Sequence, residues 1–217
     1  MQHCDLIIFD WDGTLMDSVG RIVSSMQSAA IDTNLDKPCE QSTKAIIGLS
    51  LPRAIETLFP GIKSSEIDKV VANYKRHYLS LDSIPTPLFS HATQLLQKLR
   101  AERKFLAVAT GKGRVGLERV WQISNAKSYF HSSRCGDEHT SKPAPDMILS
   151  LMKEFNVTAE QTVMIGDSVL DLEMAKQAGT YAIGVTHGAH DYNSLAAVNP
   201  NAIVNSLEEL SSLLLTP

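Results

Sequence analysis

Residues 6–18 of the chain read LIIFDWDGTLMDS, and the interpretation of the remaining sequence starts from this stretch. Residues 6–9 are all apolar, which predicts a short strand buried on both faces. Asp10 follows where that strand should end, Asp12 lies two positions later, and Gly13 permits a turn that other residues resist. Two carboxylates this close repel each other unless a cation or a proton lies between them. The spacing therefore predicts a Mg²⁺-dependent phosphoryl-transfer site, with Asp10 as the attacking carboxylate and Asp12 as proton donor and acceptor.

A simpler interpretation of the same residues is a strand followed by an ordinary Asp-Gly turn. The longer stretch, however, resembles the first motif of the haloacid dehalogenase-like hydrolases, in which four apolar residues precede DxDGTLxDS. The match extends through Asp17 and Ser18. Trp11 departs from the Leu or Met that is more usual in that family, and we expect this change to alter at most the wall of the pocket.

The composition is that of an ordinary soluble globular protein. The chain has 217 residues, 43% hydrophobic and 20% charged, enough for one large core or for a core with a small inserted domain. A net charge of −4 argues against a nucleic-acid surface, which normally has a basic excess. The three cysteines include no CxxC pair, so neither a disulfide framework nor a zinc site is predicted. The first residues lack the features of a signal peptide or membrane span, and a cytoplasmic location without a membrane partner is expected.

Apolar residues at helical spacing dominate the chain after the first motif. Helices are predicted over residues 19–31, 41–47, 51–58 and 65–81. Two prolines, Pro85 and Pro87, then stiffen an extended linker. We therefore predict an α-helical insertion over residues 17–86, called the cap below, which lies above the site. Residues 1–16 and 87–217 would form the core domain.

Two segments of the cap are candidates for contacting a substrate. Residues 48–53, GLSLPR, form a turn that resembles the substrate-specificity loop in the helical caps of the family. Gly48 and Arg53 are the predicted contacts, with Arg53 binding a substrate carboxylate or hydroxyl; the alternative for Arg53 is a solvated charge. Residues 74–78, YKRHY, are the second segment, and a solvated helix face explains their charges more simply.

Two further candidate motifs follow in the core. Residues 105–109, FLAVA, predict a central strand, after which Thr110 and Gly111 could donate hydrogen bonds to a phosphate oxygen or form a plain turn. Lys142 lies in SKPAPD, where two prolines stiffen the backbone. Its ammonium could neutralise a phosphoryl group and the incoming carboxylate, although surface lysines are common. These segments match the second and third motifs of the family that the first motif resembles.

A second acidic pair lies later in the chain. Residues 162–165, TVMI, predict another buried strand, which leads to Asp167 and Asp171 in GDSVLD. Carboxylates from two strand ends, with the backbone carbonyl of Asp12, supply the oxygen ligands that Mg²⁺ prefers, although GDxxxD could also cap a helix. The segment matches the fourth motif of the family. The resemblance thus implies a metal site of Asp10, Asp12 and Asp167, with Asp171 anchoring Lys142 or a metal-bound water.

The rest of the core alternates strands and helices. Helices are predicted over 91–100, 115–123, 192–198 and 207–215, and strands over 132–135, 181–185 and 202–204. Each candidate catalytic group falls at the C-terminal end of a strand. The pattern predicts an α/β fold, a doubly wound, Rossmann-like parallel sheet with its site on the carboxyl edge. His187, at another strand end, could contact substrate or be polar surface.

The resemblance covers essentially the whole chain and is nearest to the phosphoglycolate phosphatase-like branch. It implies a Mg²⁺-dependent phosphatase, a monomer or homodimer, that hydrolyses a small phosphorylated metabolite through an aspartyl-phosphate on Asp10. A sugar-phosphate mutase of the β-phosphoglucomutase type has nearly identical motifs and stays open. A dehalogenase would need neither Mg²⁺ nor Asp12, a phosphonate hydrolase would want a cap lysine such as Lys44 or Lys75, and a binding module would be expected to have lost a motif residue.

Overall fold

The computed structural model describes residues 4–80 and 84–215. Within these residues the strands are β1 Leu6–Phe9, β2 Phe105–Thr110, β3 Ser132–Cys135, β4 Thr162–Gly166, β5 Tyr181–Val185 and β6 Ala202–Val204. The α-helices are α1 Val19–Asp32, α2 Glu40–Lys44, α3 Leu51–Leu58, α4 Ser64–Ser80, α5 Ala92–Ala101, α6 Arg114–Ser124, α7 Asp146–Phe155, α8 Val169–Ala178, α9 Tyr192–Ala196 and α10 Leu207–Leu215. None of these described helices is both long enough and apolar enough to cross a membrane.

The six strands form one parallel sheet in the order β3-β2-β1-β4-β5-β6. In the middle of it, Ile7 of β1 is paired with Leu106 of β2 and with Val163 of β4. Side chains of a strand alternate between the two faces, so Ile7 packs with α5, α6 and α10, whereas Leu6 and Ile8 pack with α7 and α8. Helices thus cover both faces, which is why β1 is apolar throughout. The predicted doubly wound parallel fold is confirmed.

The helices between β1 and α5 have an apolar cluster of their own. Met26 and Ala29 of α1, Ile55 of α3 and Val70 of α4 are its most buried members, each at most 1% exposed. This cluster is separate from the two that cover the sheet. A separate core is what an inserted domain requires, but the boundaries 17–86 stay a prediction.

The observed elements differ from the predicted ones at a few ends. The helix predicted over 41–47 stops at Lys44, because the chain turns toward Gly48, which has a φ of +105°. The helix predicted over 65–81 is α4, and Leu81 lies outside the described residues. Helix α7 was not predicted, although Met147, Ile148 and Leu151 form its buried stripe.

Candidate active site

The candidate catalytic residues lie together at the carboxyl edge of the sheet. Asp10 directly follows β1, Thr110 ends β2, and Asp167 directly follows β4. These positions are neighbours because β1 lies between β2 and β4. Asp12 and Lys142 come from the loops that follow β1 and precede α7. All five residues are buried, Asp12 being the most exposed at 7%.

Lys142 links two of the carboxylates. Its Nζ lies 3.0 Å from Asp10 Oδ1 and donates a hydrogen bond to Asp171 Oδ1 at 2.6 Å. Burial alone would lower the pKa of Lys142, but the charges of Asp10 and Asp171 outweigh burial and raise that pKa. Ser168 holds Asp171 from the other side, because its Oγ and its backbone N–H both donate to Asp171 Oδ2. Lys142 is therefore a fixed cation beside Asp10.

Asp167 lies in a cradle made of two loops. Thr14 Oγ1 donates to Asp167 Oδ1 at 2.7 Å, and the backbone N–H of Ala189 donates to Oδ2 at 2.7 Å. A Cβ on Gly13 or on Gly188 would come within 2.2 Å of Asp167 Oδ2, so both positions need glycine. The sequence pattern marks the loop of Gly188 and Ala189 only as a turn after a strand, and its part in the site was missed.

Asp10, Asp167 and Asp171 form a buried carboxylate cluster. One oxygen of each lies within 4.8 Å of the others. Burial, and then repulsion among the acids, raises the pKa of Asp10 and of Asp167; for Asp10 the attraction of Lys142 opposes this shift only in part. Asp10 Oδ1 accepts no hydrogen bond within the described chain despite its charge contact with Lys142. One lysine among three acids leaves an excess of negative charge, so the cluster fits a divalent cation that takes oxygen ligands.

Asp12 is not one of the clustered carboxylates and is held by two donors. Ser18 Oγ donates to Asp12 Oδ1 at 2.6 Å, and Lys112 Nζ lies 2.9 Å from Asp12 Oδ2. Lys112 Nζ also lies 4.9 Å from the ring centroid of Tyr78, which belongs to the predicted cap. Burial lowers the pKa of Lys112, but the charge of Asp12, with further contributions from Tyr78 and Tyr74 and from the hydrogen bond to Asp12, outweighs burial and raises that pKa. Lys112 was missed as a site residue; its one signal in the sequence is its place directly after Thr110-Gly111.

A cavity of about 330 Å³ opens over Asp10 and Asp12. Thr110 and Gly111 line it from the core, and Gly48 lines it from the predicted cap. The two sides touch here: a Cβ on Gly111 would come within 2.4 Å of the Gly48 carbonyl oxygen. The absence of a side chain at Gly111 is what lets the cap loop approach so closely.

The loop after Gly48 is fastened to the core by a hydrogen bond as well. The backbone N–H of Ser50 donates to Ser141 Oγ at 2.9 Å, next to Lys142. Gly48 itself packs against Ser168 and Leu170, where an added Cβ would lie 3.2 Å from Ser168 Oγ. The described structure is thus closed over the carboxylates.

The family model for haloacid dehalogenase-like hydrolases matches residues 7–185. The chain belongs to the haloacid dehalogenase-like hydrolases. A relative from Dickeya dadantii, named "Probable phosphatase IndB", is 34% identical over 94% of this chain and 91% of its own length. A phosphoglycolate phosphatase from Colwellia psychrerythraea is 27% identical over 97% of this chain and 96% of its own. A solved structure of a predicted phosphoglycolate phosphatase from Haemophilus somnus matches with a TM-score of 0.85 at 25% identity, covering 98% of this chain and 99% of that one. The predicted family, and its phosphoglycolate phosphatase-like branch, are confirmed.

In this haloacid dehalogenase-like hydrolase, Arg53 does not line the cavity. It lies in the first turn of α3, where its Nη1 is 3.1 Å from Glu56 Oε2 and 65% of its side chain is exposed. The inward face of α3 carries Ala54 and Ile55, both buried, and Arg53 falls outside that face. In the described structure Arg53 is thus placed as a solvated charge, which favours that alternative, and its contact with substrate stays a prediction.

Arg53→Ala should therefore leave catalysis nearly unchanged. An exposed ion pair contributes only about 0–1 kcal/mol to the free energy of unfolding. The pair of Arg53 and Glu56 also lies outside the cavity lining. Steady-state kinetics should give kcat/KM within about twofold of wild type for an anionic metabolite and for p-nitrophenyl phosphate alike. Glu56→Ala is the matched control and should behave in the same way. A large loss confined to the anionic substrate would return Arg53 to the specificity site.

The charged residues of the 74–78 segment divide between the cavity and the surface. Lys75 is exposed and lines the cavity. Arg76 forms an ion pair with Asp32 of α1, and His77 Nε2 lies 2.7 Å from the same carboxylate. Arg76 and His77 thus tie α4 to α1, whereas Lys75 stays near the site.

Two core residues considered from the sequence lie outside the cavity lining. Trp11 is fully buried and packs edge-on against Trp121, with ring centroids 6.3 Å apart. It is not one of the lining residues, so an effect on the pocket wall would have to be indirect and stays a prediction. His187 packs on Phe89, and its Nε2 lies 3.0 Å from the Thr14 carbonyl oxygen, next to the Asp167 cradle.

Proposed function

We propose that this hydrolase is a Mg²⁺-dependent phosphatase that cleaves a small phosphomonoester through an aspartyl-phosphate on Asp10. The phosphatase class is that of the relatives above, and the metal, the intermediate and the substrate class are our inference. One observation carries it: the buried carboxylates of Asp10, Asp167 and Asp171 have oxygens within 4.8 Å of one another, one lysine, Lys142, contacts Asp10 and Asp171, and Asp10 lines the cavity. Burying this excess of negative charge is costly unless a further cation meets it.

The chemistry would begin with in-line attack by Asp10. A carboxylate oxygen forms the bond to phosphorus while the bond from phosphorus to the leaving alcohol breaks. Lys142, 3.0 Å from Asp10, would offset the negative charge that gathers as the two anions meet. Thr110 and Gly111, on the same cavity wall, would orient the phosphoryl oxygens, and Asp171 would keep Lys142 in place.

Asp12 would act as the general acid and then as the general base. It lines the same cavity and would protonate the leaving oxygen, then take a proton from the water that hydrolyses the aspartyl-phosphate. Ser18 and Lys112 fix the direction of its carboxylate through contacts of 2.6 and 2.9 Å. A side chain held at both oxygens loses little orientation between the two steps.

Asp10 and Asp167 would hold the metal ion, with the backbone carbonyl of Asp12 as a further ligand. Bound there, Mg²⁺ would neutralise the carboxylates and polarise a phosphoryl oxygen. Asp171 lies in the same cluster, but both of its oxygens already accept hydrogen bonds from Lys142 and Ser168. Its role would therefore be to position Lys142.

Mg²⁺ should raise the melting temperature of the protein. At a concentration of 100 times Kd it should add about 2.7 kcal/mol to the free energy of unfolding, or roughly 5–10 °C. The raised pKa values mean that the metal-free fold loses stability as pH rises through them, so the Mg²⁺ shift should be larger at alkaline than at mildly acidic pH. Differential scanning fluorimetry measures both effects.

Asp167→Asn should lose most of this shift, because it removes one charged ligand. Asp146→Asn, at an exposed aspartate on α7, is the matched control and should keep the shift in full. An undiminished shift in Asp167→Asn would exclude Asp167 as a ligand.

We further propose that residues 17–86 act as a cap on a core of residues 1–16 and 87–217. The separate apolar cluster of α1, α3 and α4 supports this division, and so does the loop of Gly48 and Ser50 that rests on the core. Such a cap would exclude water during the first step and open to release the alcohol. The backbone of Gly48 would lie on the side of that loop that faces the substrate.

A screen of phosphorylated metabolites, with and without Mg²⁺, tests the proposed function. Release of inorganic phosphate that needs Mg²⁺ would support it, whereas transfer of phosphate within a sugar phosphate would favour the mutase alternative. Lys44, a candidate for a phosphonate hydrolase, pairs instead with Glu40 at 2.6 Å. The cytoplasmic location, the choice between monomer and homodimer, and the expectation of no nucleic-acid or membrane partner stay predictions.

A further inference from the structure

The cavity is lined on its cap side by apolar side chains from every helix of the cap except α2. The main side chains on this side of the cavity are those of Ile22, Met26, Ile47, Leu49, Leu51 and Tyr74. The phosphate of a substrate must lie at the opposite side, near Asp10 and Asp12. These apolar residues therefore face the part of the substrate that does not react.

Few charges are present to receive an anionic group on that part. Among the described cap residues that line the cavity, Lys75 alone is charged, and it is exposed. Of the lining residues from the core, Lys112 already contacts Asp12 at 2.9 Å, and Arg119, on α6, is not without a partner either. A carboxylate buried against the apolar residues of the cap would lose its hydration and meet only cations that are exposed or already have partners, which is costly.

The apolar wall also continues to the cavity's opening. Leu79 and Val115 line the cavity although they are 49% and 84% exposed. They come from α4 and α6, so apolar surface is present on both the cap side and the core side. At about 330 Å³ the cavity lies near the lower end of the range of about 300–1,000 Å³ for pockets that enclose drug-sized ligands. It thus has room for a leaving group well beyond two carbons.

We infer that the preferred substrate is the phosphate monoester of an uncharged, apolar aliphatic alcohol, and not a small polyanion such as phosphoglycolate. This inference rests on the proposed phosphatase function and names its substrate class. The apolar body would bury itself against the cap helices, and that binding would be used to close the cap over the reacting phosphate.

Two matched ester pairs test the inference on the wild-type enzyme with Mg²⁺. Isobutyl phosphate and phosphoglycolate differ mainly in the replacement of an isopropyl group by a carboxylate of similar size. Hexyl phosphate and the phosphate ester of 6-hydroxyhexanoate form the longer pair. In each pair the uncharged ester should have the higher kcat/KM, by about tenfold or more, because a pocket built for apolar groups leaves a carboxylate unpaired. Within the alkyl series, kcat/KM should rise from methyl to hexyl phosphate.

A variant pair tests where the selectivity arises. Leu79→Asp places a charge at the opening and should lower kcat/KM for hexyl phosphate by about fivefold or more while changing methyl phosphate less than twofold. Leu149→Asp, at a leucine on α7 that is 46% exposed and does not line the cavity, is the control and should change neither. Both sites are exposed, so folding should be preserved.

The outcomes separate this inference from the proposed function. Mg²⁺-dependent release of phosphate from p-nitrophenyl phosphate reports the phosphatase activity alone. If that activity is present and the charged member of either pair is turned over as fast as the uncharged one, or no alkyl ester is turned over, the inference is overturned and the phosphatase stands. If p-nitrophenyl phosphate and all the esters are inert, both fall.

Discussion

Asp10→Asn should abolish turnover while leaving the fold intact. The amide has nearly the shape of the carboxylate but is a poor nucleophile, so the loss in kcat should be on the order of 10⁴-fold or more, as expected when a covalent nucleophile is removed. Phosphate release from the best substrate, measured at high enzyme concentration, gives the residual rate of the variant or an upper bound on it. Removing one of three crowded buried acids should not unfold the chain, because Lys142 keeps its 2.6 Å contact with Asp171.

Circular dichroism and the melting temperature of Asp10→Asn control for folding. Asp146→Asn, the exposed variant described above, should keep full activity and exclude a general effect of replacing an aspartate. If Asp10→Asn retained a tenth of the wild-type rate, Asp10 could not be the nucleophile.

Asp12→Ala should slow the reaction by about 10²–10⁴-fold, the usual range for the loss of general acid-base assistance. The loss should depend on the leaving group. Alkyl esters need a proton on the departing oxygen and should lose most, whereas an activated aryl ester leaves without one and should lose less. Steady-state kcat/KM for hexyl phosphate and p-nitrophenyl phosphate gives the comparison.

Because Asp12→Ala leaves Lys112 without its carboxylate partner, Asp12→Asn should be measured beside it. Asn keeps an oxygen that can accept from Ser18 or Lys112 but cannot give or take a proton in the same way, so both variants should show the same dependence on the leaving group. Equal losses for alkyl and aryl esters would remove Asp12 from the role of leaving-group acid.

The core of the site could be predicted because its residues are tied to strand ends. Residues 6–9 and 162–165 are buried on both faces, so their apolar runs are unmistakable and the polar residues that follow must lie on the same edge of the sheet. The positions of Asp10 and Asp167 follow from that rule alone. Lys142 precedes a helix and follows no strand directly; only the family resemblance indicated that it would meet Asp10.

Contacts between distant segments could not be predicted in this way. Lys112 bridges Asp12 and the ring of Tyr78, and nothing local to Lys112 indicates either partner. The direction of Arg53, by contrast, could have been found: Leu51, Ala54, Ile55 and Leu58 follow the i, i+3, i+4, i+7 stripe of an inward face, and Arg53 lies outside it. Helix α7 has the same periodicity, but the prolines of the Lys142 loop directly before it indicated a loop, and the helix was not predicted.

The apolar lining of the cavity depends on how the helices of the cap pack together. Its lining comes from α1, the loop that holds Gly48, α3 and α4, which are separate in sequence and converge only when the cap has its own core. Each residue by itself is an ordinary apolar position of an amphipathic helix. The sequence therefore predicts that a cap exists, and the structure is needed to see which residues face the substrate.

The most direct test of the central claim is to trap phosphate on Asp10. Asp12→Asn should still accept phosphate from p-nitrophenyl phosphate but should hydrolyse the aspartyl-phosphate slowly, so the intermediate should accumulate after a burst of one p-nitrophenol per active site. Acid quenching, proteolysis and peptide mass spectrometry should then find one added phosphoryl group, on the peptide that contains Asp10. No burst and no phosphorylated peptide, or a phosphoryl group on a different residue, would contradict the account.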